Sequence, residues 1–285
     1  MQTMQAAYNE SRIAPTGDVS ADIVEAMRAY LVGDLGLSPG FAEARAGDEL
    51  ARRIPRSVVE FLSNVGVAVA EKSVLDLGAG LGGMSEELVL CGARVTAVEP
   101  GEAWAELTRR RLERRSGQFH VLRTVGESIP LPANSMDLVV SLQVLEHVSD
   151  PARVLAEVFR VLRPGGHFYL ACENYLAFRE AHYQVPWIPL LPKSIGSLYL
   201  RVLGRSPQFL QQAVTYTTYP GVLRDARRVG FVRLRDEQLA ENLRVKKGAQ
   251  WSALRVLATA TGGKGPFWID QARDCVPVRD LRALS

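Results

Sequence analysis

The 285-residue sequence predicts an α/β fold, a doubly wound and mostly parallel sheet with helices on both faces. Three observations lead there. Between residues 73 and 172, short apolar runs alternate with stretches of helical periodicity. The first run breaks into glycines in "VLDLGAGLGG", residues 74–83, as a strand does when it hands over to a helix at a ligand site. Helix punctuation separates the runs: Asp150 caps the helix read at about 151–162, Pro151 opens it and Gly165-Gly166 follows it.

The elements follow in order. Residues 1–17 are polar and irregular. A helix is expected over 18–36, with Asp18 or Ser20 as cap and Ile23, Met27, Tyr30 and Leu31 on one face. A second is expected at about 41–53 and a third from Pro55, with Val58, Val59, Leu62 and Val65–Val67 as its apolar side. These make a helical N-terminal cover, residues 1–70. A larger unit, 71–260, starts with the strands Ser73–Leu77, Arg94–Val98, His120–Val125, Met136–Leu142 and His167–Cys172. Helices at about 83–91, 101–115 and 151–162 lie between them. After the fifth strand comes an aromatic- and proline-rich insertion, 173–217, far longer than an ordinary connection and placed at the sheet edge where open α/β folds hold ligands. "GVLRDARRVGF" reads as a helix stopped by Gly230, "FVRLRDE" as a strand, and 261–285 as a tail that is a surface strand or loosely packed.

Composition narrows the function. Apolar residues make up 47% and charged residues 23%, which suits a globular protein with a sizeable core. A net charge of +3 gives no general attraction to nucleic acid. Cys91, Cys172 and Cys275 have neither metal-ligand spacing nor the even count of a disulfide framework, and no metal site is expected. The N-terminus lacks the basic start and apolar run of a signal peptide, and "VPWIPLLP" at 185–192 is too short and too rich in proline to span a bilayer. A soluble, cytoplasmic protein is the expectation.

Gly78, Gly80 and Gly82 follow the first strand directly and open a helix, so that backbone N–H groups can approach a ligand closely. Gly78, Gly80 and Gly83 also fit a dinucleotide fingerprint, with Glu99 ending the next strand at a distance that suits a ribose. A nicotinamide-dependent oxidoreductase is therefore one reading. Asp76 favours another. It stands two residues before the first glycine, where a carboxylate can take the ammonium of an amino-acid moiety.

"VLDLGAGLG" with "VTAVEP" resembles the first two motifs of the class I S-adenosylmethionine-dependent methyltransferases. "IPLPANSMDLVVSLQVLEHV" (129–148) and "EVFRVLRPGGHFYLACEN" (157–174) are similar to the later strands and turn of that family. The resemblance covers about 74–174 and the "LRDARRVGF" helix, and it implies a Rossmann-like, seven-stranded sheet with S-adenosylmethionine as cofactor. By the same resemblance Asp76, Gly78, Ala79, Gly80 and Gly82 would hold the methionine part. Glu99 would hold the ribose hydroxyls beside Pro100. Many relatives read the adenine with an aspartate after the third strand, but Val125 stands there. That leaves the task to Glu127 with Ser128, or to backbone. Leu142 and Gln143 would line the cofactor's other side.

Methyl transfer is an in-line displacement that needs alignment and dryness. A base is needed only for an acceptor proton of high pKa. His147, in "LEHV", is placed to face the methyl group; it serves as base or only shapes the loop. His182 and Tyr183 are second candidates, read as an exposed pair in the insertion. Glu146 is read as structural. Trp187, Ile188, Leu190, Leu191, Tyr199 and Leu200, flanked by Lys193, Arg201 and Arg205, offer a greasy lid or a peripheral membrane contact through 185–205. "TRRRLERR" (108–115) is read as the solvated face of a helix rather than a nucleic-acid patch. No base-methylase signature is present, so the expected partner is a small or lipid-linked acceptor, sugar-bearing or aromatic, methylated at oxygen, and no nucleic acid. The alternatives are the nicotinamide oxidoreductase and a non-catalytic protein that binds S-adenosylmethionine for regulation. Oligomeric state is not read from the sequence.

Overall fold

Five strands pair in parallel in the order β3-β2-β1-β4-β5: β1 is Ser73–Leu77, β2 Arg94–Val98, β3 Gln118–Leu122, β4 Met136–Leu142 and β5 Leu162–Ala171. The computed structural model describes residues 16–232 and the strand β8, Phe267–Asp270, which runs antiparallel along β5 and makes a sixth strand of the sheet. Of the two alternatives expected for the tail, a surface strand or loose packing, residues Phe267–Asp270 take the first, as an edge strand of the sheet. The strand expected at 231–237 lies beyond the described residues except for Phe231 and Val232.

Alternation along β1 divides the interior in two. Leu75 and Leu77 enter a core with Val154, Val158 and Phe168. Val74 enters the opposite one, with Phe61, Leu62 and Leu88. The helices covering these faces are α3 (Arg53–Asn64), α4 (Gly83–Leu90), α5 (Glu102–Glu113), α6 (Pro151–Val161) and α9 (Tyr219–Val229), the last ended by Gly230 at φ 119°. β3 starts and stops earlier than the apolar run suggests because it ends level with its partner, Val98 opposite Leu122, and residues 123–127 turn toward the ligand edge. Gly165-Gly166 does not follow a helix terminus directly. α6 stops at Val161, and the glycines lie within β5, beside a register shift against β4 between Met136 and Leu138.

The cover departs from one long helix. α1 (Val19–Arg28) runs into a wide π-helical turn, Ala29–Asp34, and α2 (Pro39–Leu50) starts from Ser38, whose hydroxyl accepts from Phe41 N. Ile23 and Ala26 pack on Leu81 and Leu107, which seats α1 over the glycine loop and α5. The insertion folds into a two-stranded ribbon, β6 (Arg179–Glu180) with β7 (Val185–Pro186), then α7 (Lys193–Val202) and α8 (Gln208–Gln212). Its Tyr183, Trp187, Leu200, Phe209 and Leu210 share one core with Leu31, Leu35, Leu37 and Ala42 of the cover. Cover and insertion thus close together over the carboxyl ends of the strands.

Candidate active site

Those ends enclose a cavity of about 730 Å³. Its floor is the loop after β1. Gly78 N and Ala79 N both donate to Val98 O, at 2.8 and 2.9 Å, which draws the loop onto the end of β2. Gly78 has φ 75°, and a Cβ there would fall 2.3 Å from Val144 Cγ2; only glycine fits. Gly82 differs from its expected role. It has φ 80° and presses on Thr108 of α5, and it is not among the cavity residues, whereas Gly83 is.

Two acids border this floor. Glu99 accepts from Gly80 N at 2.9 Å and from Gly101 N at 3.0 Å, and burial raises its pKa against those bonds. Asp76 is buried and accepts from Ser85 Oγ at 2.5 Å; burial pushes its pKa up to about 7. Ser85 carries no motif signal, and its importance comes only from this contact. Pro100, Leu142 and Gln143 line the cavity. So do Trp104 and Arg45, which the sequence did not single out.

Glu127 is turned mainly inward. Its Oε1 accepts from Ser149 N, Ser149 Oγ and Asp150 N at 3.0, 2.9 and 3.3 Å, while buried Oε2 has no partner among the described residues. Ser128 is exposed and outside the cavity lining, with its amide given to Val125 O.

At the other end, a short 3₁₀ turn, Leu145–His147, and the insertion bring two imidazoles together. The His147 and His182 rings lie 5.1 Å apart, and Phe209 packs against both, at 5.6 and 5.2 Å. His147 Nδ1 is 2.7 Å from Ala213 O, and burial, helped by the charge of His182, lowers its pKa to about 3. Burial would also lower His182, but Glu180, 2.9 Å from its Nδ1, outweighs that and raises it. Glu146 is fully buried and pushed up to about 7 by burial. With its amide turned so that the nitrogen faces the two acids, Gln143 donates to Glu146 Oε1 and Glu173 Oε1, at 2.8 and 2.7 Å.

Tyr183 does not face the cavity. It is fully buried, its hydroxyl donating to Ser206 O at 2.7 Å and accepting from Leu210 N, so the pair read as exposed is a half-buried histidine at the site and a tyrosine in the core. Glu146, His147 and His182 each offer a ligand atom within 4.8 Å of the others, a cluster that spacing alone did not suggest. Among the described residues no helix is long and apolar enough to cross a membrane.

The "TRRRLERR" helix is also not simply solvated. Thr108 and Arg111 are buried, Arg110 pairs with Asp22 of α1 at 2.7 Å, and Arg111 pairs with Glu49 of α2 at 2.7 Å and Glu86 at 2.8 Å. These bridges fix the cover over the glycine loop.

Comparison with known proteins agrees with this geometry. The family described as "Methyltransferase domain" matches residues 75–170. A ubiquinone biosynthesis O-methyltransferase of Marinobacter nauticus is 35% identical over 111 residues, 38% of this chain and 47% of that protein. An uncharacterized methyltransferase of Mycobacterium bovis is 38% identical over 138 residues, 48% of this chain and 52% of that protein. The chain thus spans about half the length of these curated relatives. Among solved structures, an S-adenosylmethionine-dependent methyltransferase from Mesorhizobium loti aligns with TM-score 0.51 at 22% identity, covering 73% of this chain and 94% of that one, a likeness of fold. Residues 75–170 thus match the methyltransferase-domain family.

Proposed function

We propose that the protein transfers a methyl group from S-adenosylmethionine to an oxygen of a small acceptor with an apolar or lipid-linked body, aromatic or sugar-bearing at the reacting end. One observation carries this reading. One cavity is lined both by Asp76 and Glu99, beside the glycine loop, and by His147 and His182, and the aromatic, apolar insertion packs with the cover around it. The relatives named as ubiquinone biosynthesis O-methyltransferases support oxygen as the acceptor atom.

The donor set fits the cofactor. A buried carboxylate held near neutrality by burial, with Ser85 as its side-chain partner, suits a cation, so Asp76 receives the ammonium of the methionine moiety. Glu99 is already oriented by two backbone amides and keeps lone pairs for two ribose hydroxyls. The orphaned Oε2 of Glu127 is left for an exocyclic amine of the adenine. Leu142 and Gln143 flank the cofactor. When bound, S-adenosylmethionine supplies an electrophilic methyl on a sulfonium.

The chain's part is to align and to exclude water. The acceptor hydroxyl loses its proton as the O–CH₃ bond forms and the S–CH₃ bond breaks. His147 and His182 line the cavity where that proton is released. Their basicities are pushed apart: burial lowers the pKa of His147 to about 3, whereas the Glu180 carboxylate, outweighing burial, raises that of His182.

The insertion also exposes Phe178, Ile188, Leu190, Ile195, Leu198, Val202 and Leu203, which supports docking on an anionic membrane surface from which a lipid-linked acceptor is drawn. Trp187 and Leu200 are not part of that surface; they face the shared core, and Leu191 and Tyr199 are half-buried. Calorimetric titration with S-adenosylmethionine, S-adenosylhomocysteine and NADH tests the cofactor, followed by methyl transfer to alkyl-tailed phenols. Tight binding of the sulfur compounds with transfer to oxygen is expected. Binding of NADH alone would return the glycine loop to an oxidoreductase.

A further inference from the structure

Three side chains that no sequence motif joins meet beside the acceptor end of the cavity: Glu146 and His147 from the turn after β4, and His182 from the insertion, their ligand atoms within 4.8 Å of one another. Two further observations set them apart from a chance cluster. His147 Nδ1 lies 2.7 Å from Ala213 O, and His182 Nδ1 lies 2.9 Å from Glu180 Oε1. A carbonyl and a carboxylate only accept, so both Nδ1 atoms carry hydrogen and each ring is left with Nε2 as its ligand atom. Metal-binding imidazoles are tethered in this way, the far nitrogen fixed by a carbonyl or carboxylate that sets tautomer and direction. Independently, Glu146 has an exposure of 0%, its Oε1 is taken by Glu173 N at 3.2 Å, and its Oε2 has no partner among the described residues. Leaving a carboxylate oxygen orphaned in the interior is costly, and a cation would satisfy it.

We infer that Glu146, His147 and His182 bind one divalent transition-metal ion, which activates the acceptor hydroxyl. Two imidazoles and one carboxylate suit zinc, which takes three protein ligands and leaves a fourth position open in catalytic sites. Both histidines line the cavity, so the open position faces the acceptor. Glu180 is a positioning residue that acts through His182. The role assigned to the ion rests on the methyltransferase reading; its binding does not. In that role the hydroxyl oxygen coordinates the ion, its proton passes to solvent, and the oxygen takes the methyl as the S–CH₃ bond breaks. The metal keeps its oxidation state throughout.

The test uses the full chain, stripped with a chelator and titrated with Zn²⁺ by calorimetry and with Co²⁺ by visible absorption. S-adenosylhomocysteine is titrated into the same samples, and circular dichroism checks each variant's fold. One ion per chain is expected, with a tetrahedral Co²⁺ spectrum. His182→Asn and Glu146→Gln should each weaken Zn²⁺ binding by about 100-fold or more, and Glu180→Gln by roughly 10- to 100-fold. Because Glu146 is buried and its variant can misfold, His182→Asn, on the insertion, decides the matter if Glu146→Gln is unfolded. Wild-type protein that binds S-adenosylhomocysteine but no ion overturns this inference and leaves the methyltransferase reading standing. The reverse result overturns that reading and keeps the ion. Zn²⁺ binding that is the same in wild type and folded His182→Asn also overturns the inference.

Discussion

Glu99 Oε2 accepts a 2.9 Å hydrogen bond from Gly80 N, so the acid that ends β2 and the glycine loop that leaves β1 form one rigid unit. A second amide, Gly101 N, holds the other oxygen at 3.0 Å. The carboxylate is oriented before any ligand arrives, which lowers the ordering cost of binding. Glu99→Ala should therefore weaken S-adenosylhomocysteine binding by about 2–4 kcal/mol, roughly 30- to 1000-fold, at the scale of two hydrogen bonds to a charged group. Calorimetry on the folded variant measures this. Unchanged affinity would remove Glu99 from the ribose site.

Gly78 is set by packing as much as by ligand approach. With φ at 75° and Val144 Cγ2 only 2.3 Å from where a Cβ would stand, alanine is both strained and overpacked. Gly78→Ala should lose about 2–4 kcal/mol of stability, and the melting temperature should drop by roughly 5–10 °C. Adding Val144→Ala should restore the steric part but not the backbone strain. A double mutant no more stable than Gly78→Ala would show that the side-chain contact is irrelevant.

Asp76 makes cofactor binding pH-dependent. Its pKa stands at about 7 in the fold against 3.8 ordinarily, because burial penalises the charge. Between about pH 4 and 7 the folded chain holds a proton that the unfolded chain has lost, so stability from this group falls as pH rises through that window and is flat above it. An ammonium at Asp76 needs the carboxylate charged. Affinity for S-adenosylhomocysteine should rise roughly tenfold per pH unit below about 7 and level off above, with proton release on binding. Glu146, also raised to about 7, titrates in the same range, so the discriminating sample is Asp76→Asn. Its affinity should be low and nearly independent of pH; a slope that survives the substitution would assign the linkage elsewhere.

The sheet was legible in the sequence because β1, β2 and β4 are buried on both faces, and a run such as Val74–Leu77 has no other use. The floor of the site was legible for a related reason. Asp76, Gly78, Gly80 and Glu99 lie at ends of consecutive elements, where local order fixes spatial order. The acceptor end was not. His182 meets His147 only because Glu180 and Phe209 hold its ring, and both belong to an insertion whose path no periodicity describes. Tyr183 shows the same gap: whether a Tyr hydroxyl meets ligand or Ser206 O depends on where the ribbon turns. "TRRRLERR" misled for another reason. A charged helix face looks solvated until a second layer, with Asp22 and Glu49, is laid over it.

That second layer gives a stability prediction. Arg111 is 3% exposed; it bonds Glu86 and Glu49 side chains and donates to Leu81 O and Glu49 O at 2.9 and 3.0 Å. Arg111→Met should cost about 3–5 kcal/mol in urea unfolding, because Glu49 and Glu86 lose a buried partner, although Arg52 and Arg115 still reach Glu86. Arg111→Lys should recover little, since one ammonium cannot reproduce the forked contacts. Cofactor affinity should fall with it, because α2 lines the cavity through Arg45 and Glu49. A cost below about 1 kcal/mol would make these bridges equivalent to surface pairs.

The insertion's outer helix gives the last prediction. On α7, Ile195, Leu198 and Val202 are 54, 61 and 76% exposed and follow helical spacing, while Gly196 and Leu200 on the opposite side face Trp187 and the core. Folding leaves that outer stripe uncovered and uses the inner one, which argues for a second apolar contact rather than poor packing. Arg201, exposed on the same helix, follows Leu198 by three residues, whereas Lys193 is spent on Val214 O. Each apolar side chain entering the acyl boundary contributes up to about 1.5–3 kcal/mol, and each nearby cation about 1 kcal/mol toward anionic lipid. Leu198→Glu with Val202→Glu should therefore reduce partitioning onto anionic vesicles by about 100-fold or more, while melting temperature and S-adenosylhomocysteine binding stay near wild type. High salt should weaken wild-type binding in part, leaving the apolar share. If the wild-type protein does not sediment with such vesicles, or the double variant sediments equally well, the stripe does not meet a membrane and the lipid-linked acceptor loses its structural support.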